Sequence, residues 1–171
     1  AGEETWLRGG DLAVPTQATR PKEAGDHERW IDVDLATQTL VAFEGDTPAF
    51  ATLVSTGRGG MSDPETTTAT IRGTFFIRSK HVSGTMDGNA GQDSFELHDV
   101  PFIQYFHEGY ALHGAFWHSN FGREMSHGCV NLSPIDAQKM FAWSEPTVPK
   151  DWYGMRSLPE FGPATVVVVH K

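Results

Sequence analysis

The stretch Trp30-Ile31-Asp32-Val33-Asp34-Leu35 alternates apolar and polar residues, and this alternation decides the fold class. Successive side chains of a β-strand point to opposite faces, so Ile31, Val33 and Leu35 are predicted to lie on one buried face. A second strand is predicted at residues 39–43. The three residues between these runs predict a hairpin, and the chain therefore opens its folded part with an antiparallel pair.

Further strands follow along the chain. A third is predicted at residues 49–55, after the turn signal Glu44-Gly45-Asp46. Runs rich in threonine and phenylalanine predict two more strands at residues 66–71 and 74–78. The final run at residues 164–169 is short and apolar on both sides, which is typical of a central strand covered on both faces. The fold class is therefore predicted to be mostly β.

One helix is predicted, and it begins at Ser133-Pro134-Ile135-Asp136. Serine is a favoured N-cap, proline suits the first helical position, and an acidic residue in the first turn stabilises the helix. Ala137, Met140 and Phe141 then share one face, which we interpret as core packing.

Two segments are predicted to lack regular structure. Residues 1–29 are polar and interrupted by proline and glycine, so we expect a lead-in or linker before one domain at residues 30–171. Residues 83–93 contain three glycines and predict a long mobile loop. Loops of this length are often functional.

Composition excludes several classes of protein. The 171 residues favour one domain, and no apolar run approaches the roughly 20 residues that a transmembrane helix needs. The formal net charge of −9, with no cluster of Lys or Arg, argues against nucleic acid as a partner. Residues 1–20 carry no signal-peptide pattern, so the expected compartment has to come from the chemistry.

The densest group of reactive residues surrounds Cys129, the single cysteine, which rules out an intrachain disulfide. It ends the motif Ser126-His127-Gly128-Cys129, and His113 lies sixteen residues upstream. An imidazole can accept the thiol proton and so activate the sulfur as a nucleophile. Sequence distance alone does not choose between His113 and His127 as the base.

Gly128 suggests how such a nucleophile could act. A residue without Cβ lets a substrate carbonyl approach the backbone N–H groups of Gly128 and Cys129, which would form an oxyanion site. A zinc site is the alternative, because imidazole and thiolate are good zinc ligands. Its ligands would be His113, His118, His127 and Cys129, although no spacing among them is a zinc signature.

Two stretches resemble the signature of the YkuD-type L,D-transpeptidase catalytic domain: Ser126-His127-Gly128-Cys129-Val130-Asn131-Leu132 and, upstream, Ala111-Leu112-His113-Gly114. The resemblance covers about residues 30–171 and includes Val54-Ser55-Thr56-Gly57 and Thr70-Ile71-Arg72-Gly73-Thr74-Phe75. Two positions depart from the usual pattern. Ile71 stands where proline is usual, and Asn131 stands where many members have arginine, although an asparagine version of the motif also occurs.

The resemblance implies a mostly antiparallel β-sandwich with one short helix after the catalytic cysteine and a long lid loop at residues 83–93. It implies that Cys129 is the nucleophile, that His113 is the general acid and base, and that the Gly114 carbonyl orients the His113 ring. The other residues that it assigns to catalysis are Ser126, His127 and Gly128, the last two at the oxyanion site. Those expected to contact the substrate are Tyr105, Trp117 and Asn131.

The activity that the resemblance implies is acyl transfer on peptidoglycan stem peptides. A tetrapeptide stem would lose its terminal D-alanine, form a thioester and be resolved by an amine, or by water in an L,D-carboxypeptidase. Carbapenem-type β-lactams are expected to be covalent inhibitors, no cofactor or metal is expected, and the compartment would be the bacterial periplasm or cell envelope. The alternatives are a zinc-dependent hydrolase and an inactive wall-binding domain.

Overall fold

The computed structural model describes residues 18–25, 29–90 and 93–171, and these residues form ten strands and one α-helix. The strands are β1 (Arg29–Asp34), β2 (Thr39–Glu44), β3 (Thr47–Leu53), β4 (Gly73–Phe76), β5 (Ser79–Ala90), β6 (Asp93–His107), β7 (Tyr110–Gly114), β8 (Val130–Leu132), β9 (Gly154–Arg156) and β10 (Val166–His170). The helix α1 is Pro134–Trp143, and short 3-10 turns lie at Lys22–Ala24 and Pro159–Phe161.

The first sheet has the strand order β3-β2-β1-β10-β4. Its first three strands form the antiparallel meander that the sequence predicts. The C-terminal strand β10 lies inside this sheet, parallel to β1 and antiparallel to β4, so the prediction of an interior strand is confirmed. Val166 and Val167 are fully buried there.

The second sheet has the order β8-β7-β6-β5-β9. Only β7 and β8 are parallel in it, and its other described pairs are antiparallel. Side chains from both sheets, among them Val33, Val167, Phe106 and Leu132, meet in one apolar cluster. The predicted mostly antiparallel β-sandwich is therefore confirmed, with one parallel pair in each sheet.

The single described helix follows β8 directly and begins as predicted. The Ser133 side chain accepts a hydrogen bond from the Asp136 N–H at 3.2 Å, and Pro134 occupies the first helical position. Ala137 and Met140 pack into the common core. Within the described ranges, no helix is long and apolar enough to cross a membrane.

The prediction of a long loop at residues 83–93 is wrong, because the described part of this segment belongs to a long β-hairpin. Strands β5 and β6 pair along most of their length, with Met86 opposite Leu97 and Gly88 opposite Phe95. The register shifts between Gly84 and Met86, so the glycine marks a bulge rather than a loop. The alternation of Phe95 and Leu97 with polar residues was the strand signal. Gly91 and Gln92 lie outside the described residues.

The strand predicted at residues 66–71 is also wrong, because this segment hydrogen-bonds to the glycine-rich loop after β3 instead of joining a ladder. The Thr70 hydroxyl accepts a hydrogen bond from the Gly57 N–H at 2.8 Å. The approach is so close that a Cβ on Gly57 would lie 2.0 Å from the Thr68 carbonyl oxygen. The threonine hydroxyl thus bonds to the backbone of the neighbouring loop, in a segment whose threonine content had predicted a strand.

The predicted lead-in falls largely outside the described residues, which omit 1–17 and 26–28. Within its described part, Ala24 is buried against Trp30 and Val166 of the first sheet. This short piece of the segment therefore packs on the domain.

A buried lysine holds the end of α1. Lys80 on β5 is fully buried, and its Nζ donates to the carbonyl oxygens of Phe141 at 2.6 Å and Ser144 at 2.7 Å. The last carbonyls of a helix have no partner within the helix, so this ammonium satisfies two of them. Burial lowers the pKa of Lys80 to about 7.

Replacing this lysine tests its contribution. We expect Lys80→Met to lower the free energy of unfolding by about 1–3 kcal/mol, because buried carbonyls lose their donor. The pKa of the unfolded chain stays near 10.5 and that of the folded protein falls to about 7, so between these values the unfolded state binds the extra proton. The advantage of wild type over Lys80→Met should therefore increase from pH 7 to pH 10 in urea titrations.

Lys139 on α1 provides the control, because 60% of its side chain is exposed. Lys139→Met should change the free energy of unfolding little, because its side chain is mostly exposed. A wild-type advantage over Lys80→Met that stays flat from pH 7 to pH 10 would show that Lys80 remains charged in the folded protein.

Candidate active site

A cavity of about 530 Å³ lies between the β5–β6 hairpin and the segment that precedes β8. Eight of the nine residues predicted for the site line it, namely Tyr105, His113, Trp117, Ser126, His127, Gly128, Cys129 and Asn131. The ninth, Gly114, does not line the cavity and contacts the His113 ring through its carbonyl. The folded chain thus gathers these predicted residues around one space.

Strand pairing places His113 close to Cys129. In the parallel pair of β7 and β8, His113 is the register partner of Asn131, and Cys129 lies one residue before β8. Neighbouring strands lie about 4.8 Å apart and advance about 3.3 Å per residue. A residue two positions from the register partner is therefore about 8 Å away between Cα atoms, within reach of two facing side chains.

The His113 ring is held in one tautomer. Its Nδ1 lies 3.2 Å from the Gly114 carbonyl oxygen, which can only accept a hydrogen bond, so Nδ1 carries the proton and Nε2 is free to accept one. The residue is 3% exposed, and burial lowers its pKa to about 4. The imidazole is therefore neutral near pH 7 and can act as a base.

The Cys129 thiol is also neutral. Burial raises its pKa to about 11, and a backbone hydrogen bond from Ala111 opposes this rise only in part. Its Sγ donates to the Gly109 carbonyl oxygen at 3.5 Å. The resting pair is thus a thiol and an imidazole, not a thiolate and an imidazolium.

Ser126 fixes the loop that carries the thiol. Its hydroxyl donates to the Cys129 carbonyl oxygen and accepts a hydrogen bond from the Gly128 N–H at 3.1 Å. Its backbone is bound on both sides, since the Ser126 N–H donates to Thr56 and the Ser126 carbonyl accepts from the Arg58 N–H, both at 3.0 Å. Ser126 therefore positions the loop that carries the thiol.

The expected oxyanion site changes as a result. The Gly128 N–H is engaged by the Ser126 hydroxyl. The Cys129 N–H is the other backbone donor expected at this site.

Gly128 is required for two structural reasons. Its φ of +129° lies in a region that other residues rarely adopt. A Cβ at this position would also lie 2.9 Å from Cε1 of Tyr110. The glycine that the sequence suggested for substrate access thus allows the turn and brings Tyr110 against it.

Aromatic residues form much of the remaining wall. The His127 ring stacks on Phe95 of the hairpin with centroids 4.8 Å apart. Trp117 lies 5.8 Å from His113 between ring centroids. Burial raises the pKa of both Tyr105 and Tyr110, and a negative charge on Cys129 would raise each further, which places both phenols near the sulfur.

Several residues that line the cavity were not among the predicted site residues. Tyr110, Arg58 and Asp87 belong to the cavity wall together with the hairpin residues Met86, Phe95 and Leu97. The apolar alternation at Phe95 and Leu97 could have revealed the hairpin wall. Tyr110, Arg58 and Asp87 carry no local signal, because only the strand order brings them to the cavity.

The residues of the zinc alternative are arranged differently from a metal centre. Within residues 18–25, 29–90 and 93–171, no group of three or more His, Cys, Asp or Glu is placed to hold a metal ion. His118 instead contacts two amides: its Nδ1 accepts from the Asn120 N–H at 3.3 Å, and its Nε2 lies 3.1 Å from Nδ2 of Asn131. The described residues therefore give the zinc site no support.

Solved structures share this fold. An L,D-transpeptidase of Enterococcus faecium carrying a cysteine-to-serine change has a TM-score of 0.63 and 22% identity, covering 84% of this chain and 50% of that chain. An L,D-transpeptidase from Mycobacterium smegmatis has a TM-score of 0.63 and 22% identity over 84% of this chain and 59% of that one. The chain thus spans half to three-fifths of the length of these two proteins.

A third structure is the catalytic domain of the E. faecium L,D-transpeptidase acylated by ertapenem. It has a TM-score of 0.59 and 23% identity, with 84% of this chain and 97% of that domain covered. At these identities the likeness shows the fold alone. No curated protein sequence matches this chain significantly.

A family model provides the assignment at the level of sequence. The YkuD model, which describes an L,D-transpeptidase catalytic domain, matches residues 28–169. The match includes both strands that carry His113 and Asn131 and the loop that carries Cys129. This chain therefore belongs to the YkuD family of L,D-transpeptidase catalytic domains.

Proposed function

We propose that this protein is a peptidoglycan L,D-transpeptidase that transfers an acyl group from a tetrapeptide stem through a thioester on Cys129. One observation carries the proposal: the only thiol of the chain and an imidazole with a free Nε2 line the same cavity. Residues 30–171 form the catalytic domain in this proposal, and residues 1–29 form the lead-in. The substrate places the enzyme in the bacterial periplasm or cell envelope.

The first half of the reaction forms the thioester. His113 Nε2 accepts the Cys129 proton as Sγ attacks the carbonyl carbon that follows an L-configured centre. The tetrahedral oxyanion receives the Cys129 N–H. The C–N bond then breaks, the imidazolium protonates the leaving nitrogen, and D-alanine departs.

The second half releases the product. An amine of another stem attacks the thioester carbonyl, and His113 accepts the proton that this amine loses. The C–S bond breaks and the sulfur recovers its proton from the imidazolium, so the enzyme returns to its neutral resting pair. Water in place of the amine would make the same site an L,D-carboxypeptidase.

The neutral resting pair suits this chemistry. A thiol with a pKa of about 11 is a weak nucleophile toward solutes in general, and it becomes reactive where a bound acyl group allows proton transfer to His113 during attack. The low pKa of His113 leaves the base unprotonated at neutral pH. The site therefore gains reactivity from substrate positioning rather than from a permanent thiolate.

β-Lactam acylation tests the nucleophile. We expect incubation with a carbapenem to add one covalent mass at Cys129, as measured by intact mass and peptide mapping. His113→Ala should slow this acylation by about 10²–10⁴-fold at pH 7, because general base catalysis is lost. His127→Ala should have a smaller effect, since His127 stacks on Phe95 and lines the wall.

Two controls make the result decisive. Circular dichroism should show that both histidine variants remain folded. Equal adduct on a Cys129→Ser protein would contradict the assignment of the nucleophile, and a larger loss in His127→Ala than in His113→Ala would transfer the base role to His127.

The raised thiol pKa gives a pH profile. The rate at which iodoacetamide alkylates Cys129 in the free protein should climb steadily from pH 7 to pH 10, because the thiolate fraction grows tenfold per pH unit below a pKa of about 11. The measurement is loss of free thiol by mass spectrometry. A plateau already reached at pH 7 would instead indicate a thiolate and imidazolium pair in the resting enzyme.

Isolated muropeptides test the reaction itself. Tetrapeptide stems should be consumed with release of D-alanine, while pentapeptide stems ending in D-Ala-D-Ala should be poor donors. A site with fixed hydrogen-bond partners rejects a displaced substrate strongly. Chromatography of the products also separates cross-linked dimers from tripeptides made by hydrolysis.

The alternatives give different results in the same assay. Loss of turnover with a chelator would support the zinc hydrolase, and binding of peptidoglycan without turnover, unchanged in Cys129→Ala, would support the wall-binding domain. Faster turnover of pentapeptides than of tetrapeptides would also contradict the L,D-transpeptidase proposal.

A further inference from the structure

Asn131 carries an unsatisfied amide at the wall of the cavity. Its side chain is 2% exposed, and its Oδ1 has no hydrogen-bond partner in the part of the chain that the structure describes. The residue is the register partner of His113 and lines the same cavity. A buried polar group without a partner is uncommon in folded proteins, and at such a wall it suggests a ligand that completes it.

The other end of this amide faces His118. Nδ2 of Asn131 lies 3.1 Å from Nε2 of His118, while Nδ1 of His118 lies 3.3 Å from the backbone N–H of Asn120. Both ring nitrogens would thus meet N–H donors. A neutral imidazole has one acceptor nitrogen and one N–H, so it cannot accept from both.

The backbone N–H of Asn120 decides which ring nitrogen of His118 is the acceptor. The Asn120 N–H has a fixed direction, so Nδ1 of His118 has to be the acceptor and Nε2 has to carry the proton. Burial lowers the pKa of His118, which keeps the ring neutral near pH 7. The Nε2–H then needs an acceptor, and a 180° turn of the Asn131 amide supplies Oδ1 at that position.

The same 180° rotation moves Nδ2 of Asn131 to the position at which Oδ1 had no hydrogen-bond partner. We propose that His118 is a positioning residue: through its Nε2–H it holds Asn131 so that the Asn131 NH₂ group donates a hydrogen bond to a carbonyl oxygen of the bound acyl donor. This inference rests on the proposed acyl transfer for the identity of the ligand. The orientation of the amide and the tautomer of His118 stand independently of it.

The position of Asn131 in the site indicates what its NH₂ group would bind. Asn131 and His113 are paired side by side, and Cys129 lies two residues before Asn131. A donor at Asn131 therefore holds the peptide chain of the substrate beside the base and the sulfur. Correct placement of the scissile carbonyl raises the rate of attack, because the reacting atoms are already close.

The tautomer is tested first, in the free protein. Nitrogen-15 NMR of the histidine rings, with His118 assigned by comparison with His118→Gln, should show the proton on Nε2 and an unprotonated Nδ1. This readout does not depend on activity. A proton on Nδ1 of His118 would overturn the proposal whatever the enzyme does with stem peptides.

Two isosteric substitutions of His118 separate its two nitrogens. The amide nitrogen of glutamine reaches about as far as Nε2, so His118→Gln should keep the donor to Asn131 and retain kcat/KM within about threefold. His118→Asn places its amide near Nδ1 and loses the Nε2–H, so kcat/KM for the acyl donor should fall at least tenfold. Equal activity of the two variants, with both folded, would contradict the positioning role.

Asn131→Asp tests the donor itself. The carboxylate still accepts from His118 but has no NH₂ group for the substrate, so we expect KM for the acyl donor, and the concentration for half-maximal acylation by a carbapenem, to rise at least tenfold. Iodoacetamide alkylation of Cys129 should fall less than acylation does, because the new carboxylate disfavours the thiolate but this small reagent does not use the contact.

A double substitution completes the test. Because His118 acts through Asn131, Asn131→Asp should have a much smaller further effect in the His118→Asn background. Fully additive effects would overturn the proposal. If the tautomer is as inferred and no stem peptide or carbapenem acylates the protein, the proposed function fails while the assigned orientation of Asn131 remains.

Discussion

The parallel pairing of β7 with β8 is the constraint on which the site depends. Two parallel neighbours cannot be joined by a tight turn and need a crossover of about a dozen residues or more. Residues 115–129 form this crossover between the end of β7 and the start of β8. The spacing from His113 to Cys129 is therefore a consequence of topology: His113 lies on the first strand, and Cys129 is the last residue before the second.

The crossover also supplies part of the cavity wall. Trp117 and His118 lie near its start, and the Ser126 hydroxyl closes its end by bonding to Gly128 and Cys129. The crossover also makes backbone hydrogen bonds to Thr56 and Arg58, in the loop that follows β3 of the first sheet. Burial of this arrangement has an electrostatic effect, because it disfavours charge on both groups and keeps the Cys129 thiol and the His113 imidazole neutral near pH 7.

Much of the fold and of the site was predictable from the sequence, because the signals are local. Alternation at residues 30–35 predicts the first strand, and Ser133 with Pro134 predicts the start of the helix. The motif around Cys129 identifies the reactive group, and the family match is consistent with it. In contrast, Tyr110 reaches the cavity through strand order, and the engagement of the Gly128 N–H by Ser126 depends on loop geometry. Neither leaves a pattern in the sequence.

The glycines at residues 83–93 show why composition predicted a loop in a segment that forms paired strands. Glycine favours loops on average, yet Gly84 lies at a bulge and Gly88 faces Phe95 so closely that a Cβ there would lie 2.8 Å from its ring. Gly88 thus makes room for aromatic packing on a paired hairpin. Because Phe95 also stacks on His127, the hairpin directly contacts the loop that carries Cys129. Backbone hydrogen bonds between β5 and β6 hold this wall, so this side of the cavity is formed by a paired sheet rather than by an irregular loop.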